Sequence, residues 1–142
     1  MRTILTIGFT ILMLSSATNG GEKKSAYDGT WKVTSLTFNG EVFADKELAN
    51  IKLIIKGNTF QTFRGNSVIG KGTYVINTKK KPFTIDIQGE ANGKKYKTLG
   101  IFKVEKDQWT MCNAPPAAKK RPTTFASAEG SKYELAVYKK VK

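Results

Sequence analysis

Short segments of alternating apolar and polar residues, separated by turn residues, limit this chain to an all-β fold more strictly than any other feature. Eight segments of six to nine residues have this composition. They are 31–38, 51–56, 59–64, 72–77, 83–88, 96–104, 108–113 and 132–140. Pairs such as Asn39-Gly40 and Asn92-Gly93 lie between them and favour tight turns. The pattern predicts eight strands.

Strands joined by tight turns pair antiparallel with their neighbours in chain order. Closing such a meander into a barrel removes the two exposed sheet edges, so we predict an eight-stranded antiparallel up-and-down barrel. An open two-sheet sandwich is the alternative. Only the segment 44–50 reads as helical. In 96–104, Lys97 and Lys103 share strand parity with Leu99 and Ile101, which predicts a bulge near Gly100.

The first 20 residues have the order of an export signal. Arg2 precedes the apolar run 4–14, and small residues follow it over 15–20. The run is too short for a membrane span of about 20 residues. The sequence therefore predicts a signal peptide over 1–20, a flexible leader over 21–28, a barrel domain over 29–142, and an extracytoplasmic location, in a periplasm-like compartment or secreted.

The chain has no histidine and one cysteine. Zinc sites and the usual nucleophile–base pairs are therefore unavailable, and we expect no enzyme activity, cofactor or metal. Cys112 reads as a small buried hydrophobe. The alternation around Asp86 places it towards solvent, and nothing in the spacing requires a carboxylate pair between Asp86 and Glu134.

Gly29-Thr30-Trp31, at the start of the first strand, resembles the G-x-W signature of lipocalins. The resemblance implies a lipocalin-like barrel in which Trp31 plugs the closed end. A basic residue of the last strand, Lys139 or Lys140, would lie across its indole. Residues 28–140 also resemble a smaller lipocalin-like domain of planctomycete proteins, most specifically through "MCNAPPAAKKRPTTFAS" over 111–127. That resemblance implies a fold and no activity.

The charge is strongly positive. The chain has 24 Lys and Arg against 11 Asp and Glu, a formal net charge of +13. Because we expect export, nucleic acid is not an expected partner. An acidic protein, an anionic ligand, an anionic membrane surface and simple solubility remain open.

Alternate connections of a meander share one end of the barrel. At the open end, the mouth, this gathers a predicted partner- or ligand-binding set: Lys94, Lys95, Lys119, Lys120 and Arg121. Lys79, Lys80 and Lys81 belong to the opposite end. The connection over 113–131 is long, and Pro115, Pro116 and Pro122 stiffen it. We expect this connection to lie over the mouth as a recognition surface.

Two functions follow from this arrangement. The first is a non-enzymatic interaction module, an accessory or assembly subunit that docks on an acidic protein. The alternative is a carrier of a small apolar or anionic ligand. Large residues expected to point inward favour a filled interior, and hence the interaction module. They are Trp31, Phe60, Tyr74, Phe83 and Trp109.

Overall fold

The computed structural model describes residues 25–142, so the predicted signal peptide and the leader residues up to 24 lie outside the described part. The elements are β1 (Gly29–Phe38), β2 (Glu41–Val42), α1 (Asp45–Leu48), β3 (Ile51–Lys56), β4 (Thr59–Arg64), β5 (Ser67–Asn77), β6 (Phe83–Ala91), β7 (Lys94–Glu105), β8 (Gln108–Asn113) and β9 (Glu134–Lys140). Within residues 25–142, no helix has both the length and the apolar character needed to cross a bilayer.

The strands form one closed antiparallel barrel. From β3 to β9 each strand pairs with its neighbours in chain order, and β1 pairs with both β3 and β9. The two-residue strand β2 extends the open end of β1 through a turn at Asn39-Gly40, where both φ angles are positive. The predicted eight-stranded barrel with one short helix is confirmed, and the open sandwich is wrong.

The expected bulge near Gly100 is wrong. The register of β7 with β6 and with β8 is continuous through Gly100. The register shifts lie in β1, between Val33 and Ser35, and in the β4–β5 pair, between Thr62 and Phe63. Regular alternation in β7 therefore leaves Leu99 and Ile101 on the same outer face as the lysines beside them.

The barrel interior holds one hydrophobic cluster. Its buried members are Trp31, Leu53, Ile55, Tyr74, Ile85, Ile87, Phe102, Trp109 and Met111. Phe60 and Phe83 pack against this cluster and are partly buried. Together with Trp31, Tyr74 and Trp109, these are the five large residues expected to point inward, and all of them do.

The closed end of the barrel is an aromatic plug around Trp31, which is 2% exposed. Its ring meets that of Trp109 edge-on, with centroids 5.5 Å apart. The indole Nε1 donates to the carbonyl oxygen of Tyr27 at 2.9 Å. Because the Tyr27 ring also packs on Phe102 and Trp109, the packed part of the chain begins before Gly29.

The basic residue across the plug is Lys140. Its Nζ lies 5.6 Å from the ring centroid of Trp31, and its side chain also passes over Gly29. Lys139 alternates to the exposed outer face of β9 and pairs in register with Lys32. Of the two lysines considered from the sequence, Lys140 therefore has the cation–π geometry.

The connection over 114–133, which we call the strap, does not lie only at the mouth. Its first residues extend along β7. The backbone N–H of Ala114 donates to the carbonyl oxygen of Leu99, and that of Ala117 donates to the carbonyl oxygen of Lys97. It then crosses the outer wall, where the Cys112 thiol donates to the carbonyl of Ala126 at 3.5 Å. The expectation that this connection lies over the mouth is therefore only partly right. Its two ends line the barrel cavity, but its middle packs on the outer wall, where it buries apolar side chains.

The strap forms a second, smaller core outside the barrel. Ile101 of β7 and Cys112 of β8 are paired in register, point outward and are 1% and 0% exposed. Pro122 of the strap is fully buried as well. Lys103 lies over the ring of Phe125, with its Nζ 5.1 Å from the centroid. The expectation that Cys112 is a small buried side chain is confirmed.

Candidate ligand-binding site

A cavity of about 330 Å³ lies inside the barrel, between the aromatic plug and the mouth. Its wall is mainly apolar and includes the inward residues Phe60, Ile87 and Met111. Phe38 and Lys132, both exposed, line it at the mouth. The expectation of a filled interior is therefore wrong. The large residues do point inward, but they pack together near the closed end. The interior between them and the mouth stays open.

Polar side chains line the cavity near the mouth. Glu134 is the first residue of β9 and pairs in register with Asn113, the last residue of β8. Both line the cavity, together with the phenol rings of Tyr96 and Tyr138. Glu134 shares strand parity with Ala136 and Tyr138, which places its carboxyl group on the inner face of the barrel.

Removal from water dominates the protonation of these groups. Burial raises the pKa of Glu134, and a hydrogen bond from the Asn113 side chain opposes that rise. Burial also raises the pKa of Tyr138, and the charge of Glu134 adds to this effect. The pKa of Tyr96 is raised for the same two reasons. The environment of the cavity wall therefore disfavours the charged form of the Glu134 carboxyl group.

Two glycines shape this part of the wall. A Cβ at Gly100 would lie 2.1 Å from the Asn113 side-chain oxygen, so the amide occupies space that only glycine leaves free. A Cβ at Gly89 would lie 2.4 Å from the ring of Tyr96, which pairs with it in register. The side chains of Asn113 and Tyr96 can therefore lie where they do because the residue opposite each of them on the paired strand is a glycine.

Asn113 and Trp109 each keep one buried polar atom without a partner among the described residues. These atoms are the Asn113 side-chain oxygen and the Trp109 Nε1. Both residues line the cavity and are at most 8% exposed. Unpaired buried polar atoms are uncommon in folded proteins, and both of these belong to residues that line the cavity.

Four of the five predicted basic site residues are exposed. Lys94 and Lys95 begin β7 at the mouth, and Lys119 and Lys120 lie in the strap. Lys95 also lines a shallow groove on the outer wall, with Lys71 and Lys97.

Arg121, the fifth predicted site residue, is a strap anchor. Its Nη1 donates to the carbonyl oxygens of Ile85 and Gly100, at 3.0 and 2.8 Å. Its Nη2 pairs with the Asp86 carboxylate at 2.7 Å. The guanidinium group therefore attaches the strap to β6 and β7. Asp86 faces outward while Glu134 lines the interior, so the two carboxylates do not form a shared site.

Sequence reasoning did not select Glu134 and Asn113 as site residues. The available signal was parity: Glu134 is two residues from Ala136 and four from Tyr138, and a charged residue on that face has to enter the barrel. Its importance depends on Asn113, which is opposite it only through the β8–β9 register.

Comparisons of this chain with protein-family models, curated proteins and solved structures found no match. Within residues 25–142, no group of three or more Cys, Asp or Glu side chains is placed to hold a metal ion. The cavity and its polar residues are therefore the best-defined candidate site of the described chain.

Proposed function

We propose that the barrel binds one small, largely apolar ligand in its interior and acts as a carrier. The supporting observation is the cavity of about 330 Å³ between the plug and the mouth. Ligand sites are typically concave, mostly apolar and supplied with a few polar groups that orient the ligand. Glu134 and Asn113 are such groups.

The cavity size limits the ligand. An engineered apolar cavity of about 150 Å³ holds benzene, so a space about twice that size suits one ring with a short side chain. It is at the lower end of ligand pockets, which run from about 300 to 1,000 Å³. A long-chain lipid would not fit within this volume.

In this proposal, the protein is an exported, non-enzymatic barrel of the lipocalin-like type. Its support is the signal-like order of residues 1–20 and the Gly29-Thr30-Trp31 motif. The contact of Lys140 with the Trp31 indole is the geometry that the lipocalin resemblance implies.

Filling the cavity tests this function. Thr98 lines the cavity and is 7% exposed, so Thr98→Phe should occupy the space and weaken ligand binding at least tenfold. Val75→Phe is the matched control, because Val75 is 70% exposed on the outer wall. The measurement is a calorimetric titration with small aromatic compounds. Equal binding by both variants and the parent would contradict a site inside the barrel.

Docking on an acidic protein is the second candidate function. The observation that favours it is the groove of about 860 Å³ on the outer wall, lined by Lys71, Lys95 and Lys97 with a single carboxylate, Glu90. Lys94, Lys119 and Lys120 are exposed as well and would extend this basic surface. Charges at such a surface act mainly on association rate and on salt dependence.

Charge reversal tests the docking function. Lys119→Glu with Lys120→Glu should weaken capture of an acidic partner from native extract at least tenfold at low salt, without changing thermal stability. Lys79→Glu with Lys80→Glu changes the net charge equally at the closed end and is the control. Arg121 is left intact because it anchors the strap. Equal losses in both double variants would mean that only net charge matters.

A further inference from the structure

The Glu134 carboxylate lacks a positive partner. None of the ion pairs among residues 25–142 includes it, although Lys132 lines the same cavity at the mouth. Among residues 25–142, the Asn113 side chain hydrogen-bonds to it. A carboxylate partly withdrawn from water without a counter-charge is costly, and a bound cation would offset part of this cost.

The rings around the cavity suit a cation as well. Tyr96, Tyr138, Phe60 and Trp109 line it together with Glu134. The faces of aromatic rings attract an ammonium group, and the attraction strengthens when water is excluded. An anionic ligand would meet the repulsion of Glu134 in the same space. The chemistry of the wall therefore distinguishes between ligands of opposite charge.

The positive charge of the whole protein does not reverse this preference. The formal net charge of the chain is +13, and most lysines among residues 25–142 are exposed. The Debye length is about 8 Å at physiological ionic strength. Screening weakens the repulsion from exposed charges much more than it weakens attraction to a partly buried carboxylate.

We infer that the cavity selects small apolar amines, whose ammonium group would pair with Glu134 while the hydrocarbon fills the space towards Trp109. This inference rests on the proposed ligand-binding function and narrows its ligand class. An anionic ligand, one of the partners that the charge of the chain leaves open, is thereby disfavoured for this cavity.

Three ligands with closely similar skeletons test the inference: phenethylamine, 2-phenylethanol and 3-phenylpropanoate, titrated into the full chain by calorimetry and by tryptophan fluorescence. We expect phenethylamine to bind at least tenfold more tightly than either of the others. Glu134→Gln should weaken phenethylamine binding by about ten- to a hundredfold, the usual range for a charge-assisted hydrogen bond. It should change 2-phenylethanol binding by less than about threefold. Glu105→Gln, an exposed carboxamide substitution near the closed end, is the control.

The pH dependence gives a second readout on the unsubstituted protein. The groups that face Glu134 are the Asn113 amide, the phenols of Tyr96 and Tyr138, and Lys132 at the mouth. The chain has no histidine, and burial raises the pKa of both phenols further above neutral pH, so Glu134 is the cavity group whose protonation changes on acidification. Phenethylamine affinity should fall as the pH drops through the raised pKa of Glu134, whereas 2-phenylethanol affinity should stay constant.

The outcomes separate the two levels of the proposal. If 2-phenylethanol or 3-phenylpropanoate binds as tightly as phenethylamine, the amine selectivity is overturned and the cavity still binds ligands. If none of the three binds, both the amine selectivity and the proposed ligand-binding function are overturned. If phenethylamine binds tightly but neither Glu134→Gln nor acid weakens it, Glu134 is not the recognition group and the inference fails.

Discussion

Trp31→Ala should lower the free energy of unfolding by about 3–5 kcal/mol, the range for emptying a large buried aromatic site. Trp31 is 2% exposed and contacts Trp109 edge-on at the closed end. The substitution also removes the hydrogen bond that the indole Nε1 donates to the carbonyl oxygen of Tyr27 at 2.9 Å. Urea denaturation followed by far-ultraviolet circular dichroism measures the effect. An unchanged midpoint would contradict the assignment of Trp31 as the plug.

The two lysines near the end of β9 provide a matched pair for the same experiment. Lys140→Ala removes the ammonium that lies 5.6 Å from the Trp31 ring centroid and should cost about 0.5–1 kcal/mol. Lys139→Ala removes an exposed side chain from the outer face and should change stability by less than about 0.5 kcal/mol. Equal effects of the two substitutions would mean that the contact with the indole contributes nothing.

Gly72→Ala should destabilise the barrel by about 3 kcal/mol or more, at the upper end of the cost of overpacking. A Cβ at Gly72 would lie 2.1 Å from the backbone oxygen of Gln88 and 2.7 Å from the Cα of Gly89. Both atoms belong to the backbone of β6, so a side-chain rotation cannot relieve the collision. The β5–β6 pair would have to separate where Gly72 and Gly89 are directly opposite each other.

Gly70→Ala is the control for this prediction. Gly70 lies two residues earlier in the same strand, and the nearest atoms to a Cβ there are 3.8 Å away, at ordinary contact distance. It should change stability by less than about 1 kcal/mol, because the substitution fits and reduces the entropy of the unfolded chain. Thermal unfolding of both variants compares them directly. Similar losses would mean that general loss of glycine flexibility, and not the contact with β6, destabilises the barrel.

The strand segments and their order could be predicted because they depend on local patterns. Turn pairs such as Asn39-Gly40 and Asn92-Gly93 both adopt positive φ angles in the structure. Short connections force antiparallel neighbours, so the order of strands around the barrel followed as well. The boundaries were less exact: β5 begins at Ser67 and not at Gly72, because pairing with β4 continues past the glycines.

The cavity could not be predicted from the same patterns. Parity correctly places Trp31, Tyr74 and Trp109 in the interior, but parity gives direction and not height along the barrel axis. The aromatic rings cluster at the closed end, where Tyr27 joins them from before β1. The space above them is set by the strand registers and by glycines such as Gly89, whose missing side chain accommodates Tyr96.

The sequence by itself determined the all-β class, the meander order, the burial of Trp31 and the absence of histidine chemistry. These depend on residue type and on spacing between near neighbours. Only the tertiary structure decided the roles of Ile101, Arg121 and Glu134. Ile101 alternates with lysines on an outer face, yet it is buried because the strap packs over it. Arg121 reads as a free surface cation until the strap brings it to Asp86, 35 residues earlier in the chain. Glu134 enters the cavity wall because the β8–β9 register places it opposite Asn113. Contacts between residues distant in sequence depend on how the chain closes upon itself, and no local pattern specifies them.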